Sequence, residues 1–268
     1  MQNLDIAPGF SIQFAVPIRA YFLMLLAFFA LVVSCAKESN QTPSAPSATE
    51  TTTPAPGIVL PQVDQRICTA VAILVDTSGS MEQKVRDQSR RMQPKSVIAR
   101  DALRKIVDVT EHWSAAHPDR PLMVGIYSFS SSASPVLPVG LFNSNQAQTA
   151  VTAIPAPGGG TAIGDALQGG FKALYASGCV RKHIVCITDG ENTSGPAPNR
   201  VARDLFTQTG GEVELHFVAF DTSAEKFGFL KDVNGHVVEA ADGEQLSARL
   251  TEIYERRILA EAMPAEKP

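Results

Sequence analysis

The most constraining feature of this chain is an apolar segment at residues 69–75 that ends abruptly in Asp76, followed closely by Ser78 and Ser80. A strand without alternating polar residues is typical of the centre of a parallel sheet, where helices cover both faces. We therefore expect this strand to be buried, and its end to carry one carboxylate and two hydroxyls. Ligands of such sheets bind beyond the carboxyl ends of the strands, where this turn lies.

Further apolar segments with two different periodicities follow along the chain. Intervals of three and four residues predict helices, and short apolar runs bounded by turn residues predict strands. The expected later strands cover residues 122–127, 135–139, 183–188, 213–220 and 237–239. The expected helices cover 99–113, 163–174 and 197–209, and a capping box at Asp242 and Gln245 begins a last helix. This alternation predicts an α/β fold with a doubly wound, mostly parallel central sheet flanked by helices.

Oxygen-bearing side chains occur at two more positions. Thr161 comes directly after three glycines, and Asp189 directly after the strand expected at 183–188. Because neighbouring parallel strands end at the same edge of a sheet, we expect Asp76 and Asp189 to meet there. Carboxylate and hydroxyl oxygens suit a hard cation such as Mg²⁺, which prefers an octahedron of oxygen ligands. The candidate metal ligands are Asp76, Ser78, Ser80, Thr161 and Asp189.

These residues resemble the metal-ion-dependent adhesion site (MIDAS) of the von Willebrand factor type A family, whose pattern is Asp-x-Ser-x-Ser, a separate Thr and a separate Asp. The resemblance covers roughly residues 66–260 and implies the Rossmann-like fold of that family. It implies that Ser78 and Ser80 contact the metal directly, that Asp76 acts through water, and that Asp189 completes the set. The contact of Thr161 would depend on the conformational state. The cation would be Mg²⁺, or Mn²⁺ or Ca²⁺, and a protein partner with an acidic side chain would complete the coordination.

The same resemblance bears on the cysteines. In the family, the strands that end at Asp76 and Asp189 are neighbours. Cys68 and Cys179 precede these strands, so both would lie at the amino ends, away from the metal. An oxidising compartment would allow them to form a disulfide. Cys186 lies in mid-strand and is expected to be a buried thiol.

We interpret residues 1–34 as an export signal. Arg19 precedes an uncharged apolar run at 20–33, which is short for a membrane-spanning helix. Cys35 follows a small residue, which resembles the bacterial lipoprotein signal and implies lipidation of Cys35. A plain cleaved signal or an uncleaved anchor is the alternative. The rest of the chain is expected to be a disordered Ser/Thr/Pro-rich tether at 35–57, a type A domain at 58–262 and a disordered tail at 263–268. The protein is expected to be extracytoplasmic and lipid-anchored in a bacterial cell envelope.

A basic segment lies between the first candidate ligands and the first long helix. It is either a rim that steers an acidic partner towards the metal or an ordinary solvated segment. The formal net charge of the whole chain is only −4, which gives no reason to expect a nucleic-acid partner. The basic residues of the segment are Lys84, Arg86, Arg90, Arg91 and Lys95.

Other classes of function were weighed against the same residues. A metal-dependent hydrolase or a phosphotransfer enzyme could use the same oxygen-ligand site, with Asp76 as nucleophile. Ser78 lacks the Gly-x-Ser-x-Gly elbow of a serine hydrolase, residues 158–160 lack the spacing of a phosphate loop, and the site has no Cys or His cluster for zinc. We therefore predict a binding domain rather than an enzyme. Surface or packing roles are expected for the histidines, which are His112, His117, His183, His216 and His236.

Overall fold

The centre of the protein is a six-stranded sheet, seen in a computed structural model that describes residues 57–262. The strands are β1 (Arg66–Asp76), β2 (Lys84–Arg86), β3 (Met92–Pro94), β4 (Leu122–Phe129), β5 (Ala133–Leu141), β6 (Cys179–Thr188), β7 (Val213–Phe220) and β8 (Gly235–Ala240). The order in the sheet is β5-β4-β1-β6-β7-β8, with only the edge strand β5 antiparallel, while β2 and β3 form a separate hairpin. The predicted doubly wound, mostly parallel α/β architecture is confirmed.

Helices cover both faces of this sheet. They are α1 (Lys95–Ala116), α2 (Ser144–Ala153), α3 (Ile163–Ser177), α4 (Pro198–Thr209), α5 (Gly243–Ile253) and α6 (Ala260–Ala262). A π-helical segment, Tyr254–Leu259, joins α5 to α6, and 3₁₀ turns cover Gly79–Glu82 and Ala224–Asp232. The sequence patterns did not predict α2 or the β2–β3 hairpin. The strand that they predicted at 135–139 is shorter than β5.

Strand β1 separates two hydrophobic cores. Val71, Ile73 and Val75 pack in the core beneath α1, α2 and α5, while the alternate residues Ala72 and Leu74 pack in the core beneath α3 and α4. None of these side chains is more than 3% exposed. The absence of polar alternation in β1 thus has the expected cause, because both of its faces are buried.

The strand register brings the carboxyl ends of β1, β6 and β7 together. Val75 pairs with Ile187, and Thr188 in turn pairs with Ala219. The residues that follow these pairs therefore leave the sheet at one edge. This edge, which we call the carboxyl edge, carries Asp76, Asp189 and Asp221.

At the opposite edge, a disulfide joins Cys68 to Cys179, which are 111 residues apart. This is the pair that the sequence and the family resemblance predict. The remaining described cysteine, Cys186, is a free and fully buried thiol. Burial raises the pKa of this thiol well above its ordinary value.

Several predictions concern segments on which the structure gives no information. The export signal at 1–34, the lipidated Cys35, nearly all of the tether at 35–57 and the tail at 263–268 lie outside the described residues. Within the described part of the chain, no helix combines the length and the apolar character needed to cross a membrane.

Candidate metal centre

The turn that leaves β1 is held on both sides by backbone hydrogen bonds. The Thr77 amide and hydroxyl both donate to the Phe129 carbonyl at the end of β4, at 2.7 and 3.0 Å. On the other side, the Thr77 carbonyl accepts from the Gly158 amide at 2.8 Å, so the glycine-rich loop packs against the same turn. These hydrogen bonds hold the turn in position on both sides.

Asp76 is buried at the base of the carboxyl edge, with an exposed fraction of 1%. Its Oδ1 accepts from the Ser78 amide at 2.7 Å, and its Oδ2 accepts from the Thr188 hydroxyl at 2.6 Å. Burial raises the pKa of this carboxyl, although the hydrogen bonds from Ser78 and Thr188 act in the opposite direction. With both oxygens engaged, Asp76 is placed to orient the turn rather than to bind a partner itself.

A continuous row of oxygen atoms lies above Asp76. The Ser78 and Ser80 hydroxyls are 3.1 Å apart, and the Ser80 hydroxyl donates to Asp189 Oδ1 at 2.7 Å. Neighbouring ligands of an octahedral cation with bonds of 2.0–2.1 Å are about 2.9 Å apart, which is the spacing of this row. Four of the five predicted ligands thus form one hydrogen-bonded group.

Thr161 is held through its backbone by Thr193 rather than by the four ligands. Its amide donates to the Thr193 hydroxyl at 2.8 Å, and its carbonyl accepts from the Thr193 amide at 2.9 Å. Among the residues described, no hydrogen bond links the Thr161 hydroxyl to the other four predicted ligands. The loop itself contacts the turn, because the Gly79 amide donates to the Gly159 carbonyl at 3.2 Å.

Lys95 does not belong to an exposed rim, and this part of the basic-segment interpretation is wrong. Its ammonium is buried, and it donates to Asp189 Oδ2 at 2.9 Å and to Gln83 Oε1 at 3.1 Å. It also pairs with Asp221 Oδ2 at 2.9 Å. Burial alone lowers the pKa of Lys95, but the hydrogen bonds with Asp221 and Asp189 outweigh it, so the net direction is upward and the ammonium stays charged. The reason for the position is that α1 begins at Lys95, directly at the carboxyl edge.

The other four basic residues of the segment are exposed on or beside the β2–β3 hairpin. The base of this hairpin lies at the site, because the Lys95 amide donates to the Gln83 carbonyl at 2.9 Å. At its tip, Asp87 pairs with Arg91 at 3.0 Å and so neutralises one of the four. The four are Lys84, Arg86, Arg90 and Arg91.

The donor set fits a hard divalent cation. Ser78, Ser80 and Asp189 offer only oxygen atoms, and the other oxygen of Asp189 is held by Lys95. When Asp76, Asp189 and Asp221 are ionised, their three negative charges and the one positive charge of Lys95 leave two negative charges. One divalent cation balances them. Oxygen-only donors favour Mg²⁺, Mn²⁺ or Ca²⁺ over softer metals.

The sequence patterns missed three residues of this site: Thr188, Lys95 and Asp221. Asp221 directly follows β7, so the rule that selected Asp76 and Asp189 would also have selected it. Its φ of 53° lies in the left-handed region, which aspartate tolerates better than most residues. Lys95 carried no comparable signal, because a lysine at the start of a helix is usually solvated.

The sequence and the fold are similar to those of known proteins. The model of the von Willebrand factor type A domain matches residues 70–255. None of the curated proteins matches this sequence. Among solved structures, the PilB minor pilin from Streptococcus sanguinis is similar, with 15% identity and a TM-score of 0.61 over 78% of this chain and 65% of the pilin.

Two further structures have the same fold. An aerotolerance-related membrane protein from Bacteroides fragilis has 19% identity and a TM-score of 0.54, covering 72% of this chain and 99% of its own. Proximal thread matrix protein 1 from the mussel byssus, with a zinc-occupied MIDAS motif, has 18% identity and a TM-score of 0.54 over 75% of this chain and 47% of its own. This chain thus spans about two-thirds of the pilin and about half of the mussel protein, and identities this low show a shared fold only.

Proposed function

Because this chain belongs to the von Willebrand factor type A domain family, we propose that it binds a protein partner through a divalent cation held at its carboxyl edge. Domains of this family are typically interaction modules. The observation that carries the proposal is the continuous row of oxygen atoms from Ser78 through Ser80 to Asp189, supported from below by Asp76. A zinc-occupied MIDAS in the similar mussel structure supports the same assignment.

The residues of the row have different roles in this proposal. Ser78 and Ser80 offer neutral hydroxyl oxygens, and Asp189 offers one carboxylate oxygen because Lys95 holds the other. Asp76 fixes the direction of the turn through the Ser78 amide. The loop that carries Thr161 contacts the turn through the hydrogen bond from the Gly79 amide to the Gly159 carbonyl. When bound, a cation in this set would remain incompletely neutralised and would accept a carboxylate oxygen from a partner.

An acidic partner is the one that the surrounding surface favours. Lys84, Arg86 and Arg90 are exposed on the hairpin whose base lies at the site, and they have no carboxylate partner among the described residues. Exposed charges of one sign raise the association rate of a partner with the opposite sign and add little to affinity. The partner would therefore present a Glu or Asp side chain within an acidic surface.

The proposal includes a location outside the cytoplasm. The Cys68–Cys179 disulfide is typical of proteins that fold in an oxidising compartment. The similar structures come from a pilin and a membrane protein, which agrees with that compartment. Lipidation of Cys35 and a tether at 35–57 would hold the domain at a bacterial membrane surface.

The cation can be tested on the purified full-length chain by thermal melting. At a Mg²⁺ or Mn²⁺ concentration of 100 times the Kd, binding to the native state adds about 2.7 kcal/mol to the free energy of unfolding, and a chelator removes it. Asp76→Ala is expected to abolish this gain. Asp119→Ala, which removes an exposed carboxylate away from the site, is the control and is expected to show the same gain in stability as wild type.

An equal gain in wild type and Asp76→Ala would place the cation elsewhere and contradict the proposal. For the partner, capture of envelope proteins by the full-length chain is expected to require the cation, and to fail in chelator and in Asp76→Ala. Hydrolysis of simple ester or phosphate substrates that is lost in Asp76→Ala would favour a metal-dependent enzyme instead.

A further inference from the structure

Three histidines and two glutamates form a cluster at the edge opposite the oxygen site, where β6, β7 and β8 begin. His183 in β6 pairs in register with Glu214 in β7, and His216 in β7 pairs with His236 in β8. Paired residues of parallel strands point to the same face, as do residues two apart, so all four side chains share one face of the sheet. Glu261 of α6 reaches this group from above. The sequence patterns predict surface or packing roles for these histidines and did not bring three of them together in one cluster.

The buried histidines of this cluster lack proper hydrogen bonds. The side chain of His183 is 2% exposed, and so is that of His216. Neither ring nitrogen of His183 nor Nε2 of His216 has a hydrogen-bond partner within residues 57–262. A buried polar atom that makes no hydrogen bond costs free energy, so such atoms in a native protein require an explanation.

The distances within the cluster indicate what the missing partner is. His183 Nδ1 and His216 Nε2 are both 3.5 Å from Glu214 Oε2, and the ligand atoms of these three residues all lie within 4.8 Å of one another. These separations are longer than a normal N–H···O hydrogen bond of 2.7–3.2 Å. The two distances to Glu214 Oε2 match the distance of about 3.4 Å between neighbouring ligands in a tetrahedral zinc site with bonds of 2.0–2.1 Å. The third separation, between the two imidazole nitrogens, is at most 4.8 Å.

We propose that His183, Glu214 and His216 bind a zinc ion. Two imidazoles and a carboxylate are an established protein ligand set for zinc, and three such ligands leave one position for water or a further ligand. This site differs in chemistry from the oxygen row, because imidazole favours zinc and related metals whereas Mg²⁺ favours oxygen. His183 precedes Asp189 by six residues of extended chain, so the two sites are about 20 Å apart.

Glu261 and His236 support the site from outside. Glu261 Oε2 is 3.4 Å from His183 Nε2, the ring nitrogen that does not face Glu214 Oε2, and a carboxylate at that nitrogen orients a metal-binding histidine. His236 is half-exposed and its Nε2 is 3.3 Å from the other oxygen of Glu214. A cleft of about 640 Å³, lined in part by His216 and His236, gives an ion a path from solvent.

The test measures zinc binding to the purified full-length chain by equilibrium dialysis with excess Mg²⁺, which occupies the oxygen site. We expect one zinc per chain in wild type and in Asp76→Ala. His216→Gln is expected to weaken zinc binding by more than about 100-fold, and Glu261→Gln, which removes the outer carboxylate, by about 10-fold. Glu255→Gln changes another exposed glutamate near the C-terminal helix and is the matched control. Co²⁺ in place of zinc is expected to give the strong visible bands of a four-coordinate ion.

Two results would overturn the proposal. One is zinc binding that disappears in Asp76→Ala, because the ion would then occupy the oxygen site. The other is zinc binding that is unchanged in His216→Gln when that variant melts like wild type. If His216→Gln fails to fold, Glu261→Gln decides: a 10-fold loss supports the site, and an unchanged affinity overturns it.

Discussion

Lys95 places a permanent positive charge against the carboxylate that completes the oxygen row. Its ammonium is 2.9 Å from Asp189 Oδ2 and 2.9 Å from Asp221 Oδ2. In the absence of a cation, this ammonium keeps two neighbouring carboxylates from repelling each other. In its presence, the same ammonium opposes the second positive charge. Lys95 is therefore expected to stabilise the cation-free protein and to weaken cation binding.

Lys95→Met separates these two effects. In chelator, the variant is expected to lose about 3 kcal/mol in the free energy of unfolding, because the buried carboxylate of Asp189 is left unpaired. With saturating Mg²⁺, the increase in the free energy of unfolding relative to chelator is expected to be larger in the variant than in wild type. The reason is that Asp189 no longer pairs with an ammonium and its charge is available to the cation. Urea denaturation in both buffers measures both quantities. Lys105→Met on the same helix is the control, and an unchanged Mg²⁺ gain in Lys95→Met would contradict this role.

Single residues differ in how far sequence alone could identify them. Asp76, Ser78, Ser80 and Asp189 could be predicted because each follows an apolar strand, which defines its place in the fold. Lys95 could not be predicted, because its burial depends on Asp189, a residue 94 positions away. The histidine cluster was missed for a similar reason, since it exists only through the register of three strands.

At the scale of elements, the glycine-rich loop connects the Thr161 backbone to the turn after β1. A Cβ at Gly160 would collide with the Ser194 hydroxyl and approach the Thr193 hydroxyl at 3.0 Å. The Thr193 hydroxyl accepts a hydrogen bond from the Thr161 amide. The added methyl group would therefore disturb the hydrogen bond that holds this loop. At Gly158, a Cβ would meet nothing within 4 Å.

This difference gives a matched pair of variants in one loop. Gly160→Ala is expected to reduce the Mg²⁺-dependent rise in melting temperature by at least half, because Thr161 and the adjoining turn shift. Gly158→Ala is expected to keep the whole rise. Both variants are expected to retain the circular dichroism spectrum of wild type. If the two variants respond equally to Mg²⁺, the attachment of the loop at Thr193 does not matter for the cation.

Elements were predictable from sequence where burial left a strong pattern. Strand β1 was clear because every residue from Ala70 to Val75 is buried. Helix α2 was missed because it buries only small residues, Ala147, Ala150 and Val151, among exposed polar ones. The β2–β3 hairpin was missed because its residues are mainly charged or polar and only Val85 in its strands is buried.

At the scale of the whole molecule, the free energy of unfolding is expected to depend on pH through the edge of the sheet that carries the histidine cluster. The pKa of His216 is lowered from 6.5 by burial, so the unfolded chain takes up a proton first and stability falls as the pH drops below about 6.5. The pKa of Glu214 is lowered from 4.5, so its stabilising contribution, present at higher pH, is lost as the pH falls towards its folded pKa. The histidine edge is thus expected to be acid-sensitive.

This expectation can be measured in chelator, so that no metal contributes. The urea midpoint of wild type is expected to fall between pH 7.5 and pH 5.5 (a range of about one unit on either side of the ordinary histidine pKa). His216→Gln is expected to flatten this dependence, because glutamine does not titrate. His112→Gln, which changes an exposed histidine on α1, should leave it as in wild type. A profile for His216→Gln as steep as that of wild type would exclude the buried imidazole as the cause.

The disulfide between Cys68 and Cys179 also determines how this protein carries mechanical load. Tension applied to the chain ahead of Arg66 enters β1 at Cys68, where the covalent bond passes part of it to β6. These two parallel strands lead to Asp76, which supports the oxygen row from below, and to Asp189, which is the last member of the row. Under the proposed anchoring and partner binding, a pull between the N-terminus and the partner would be shared by two strands in the middle of the sheet.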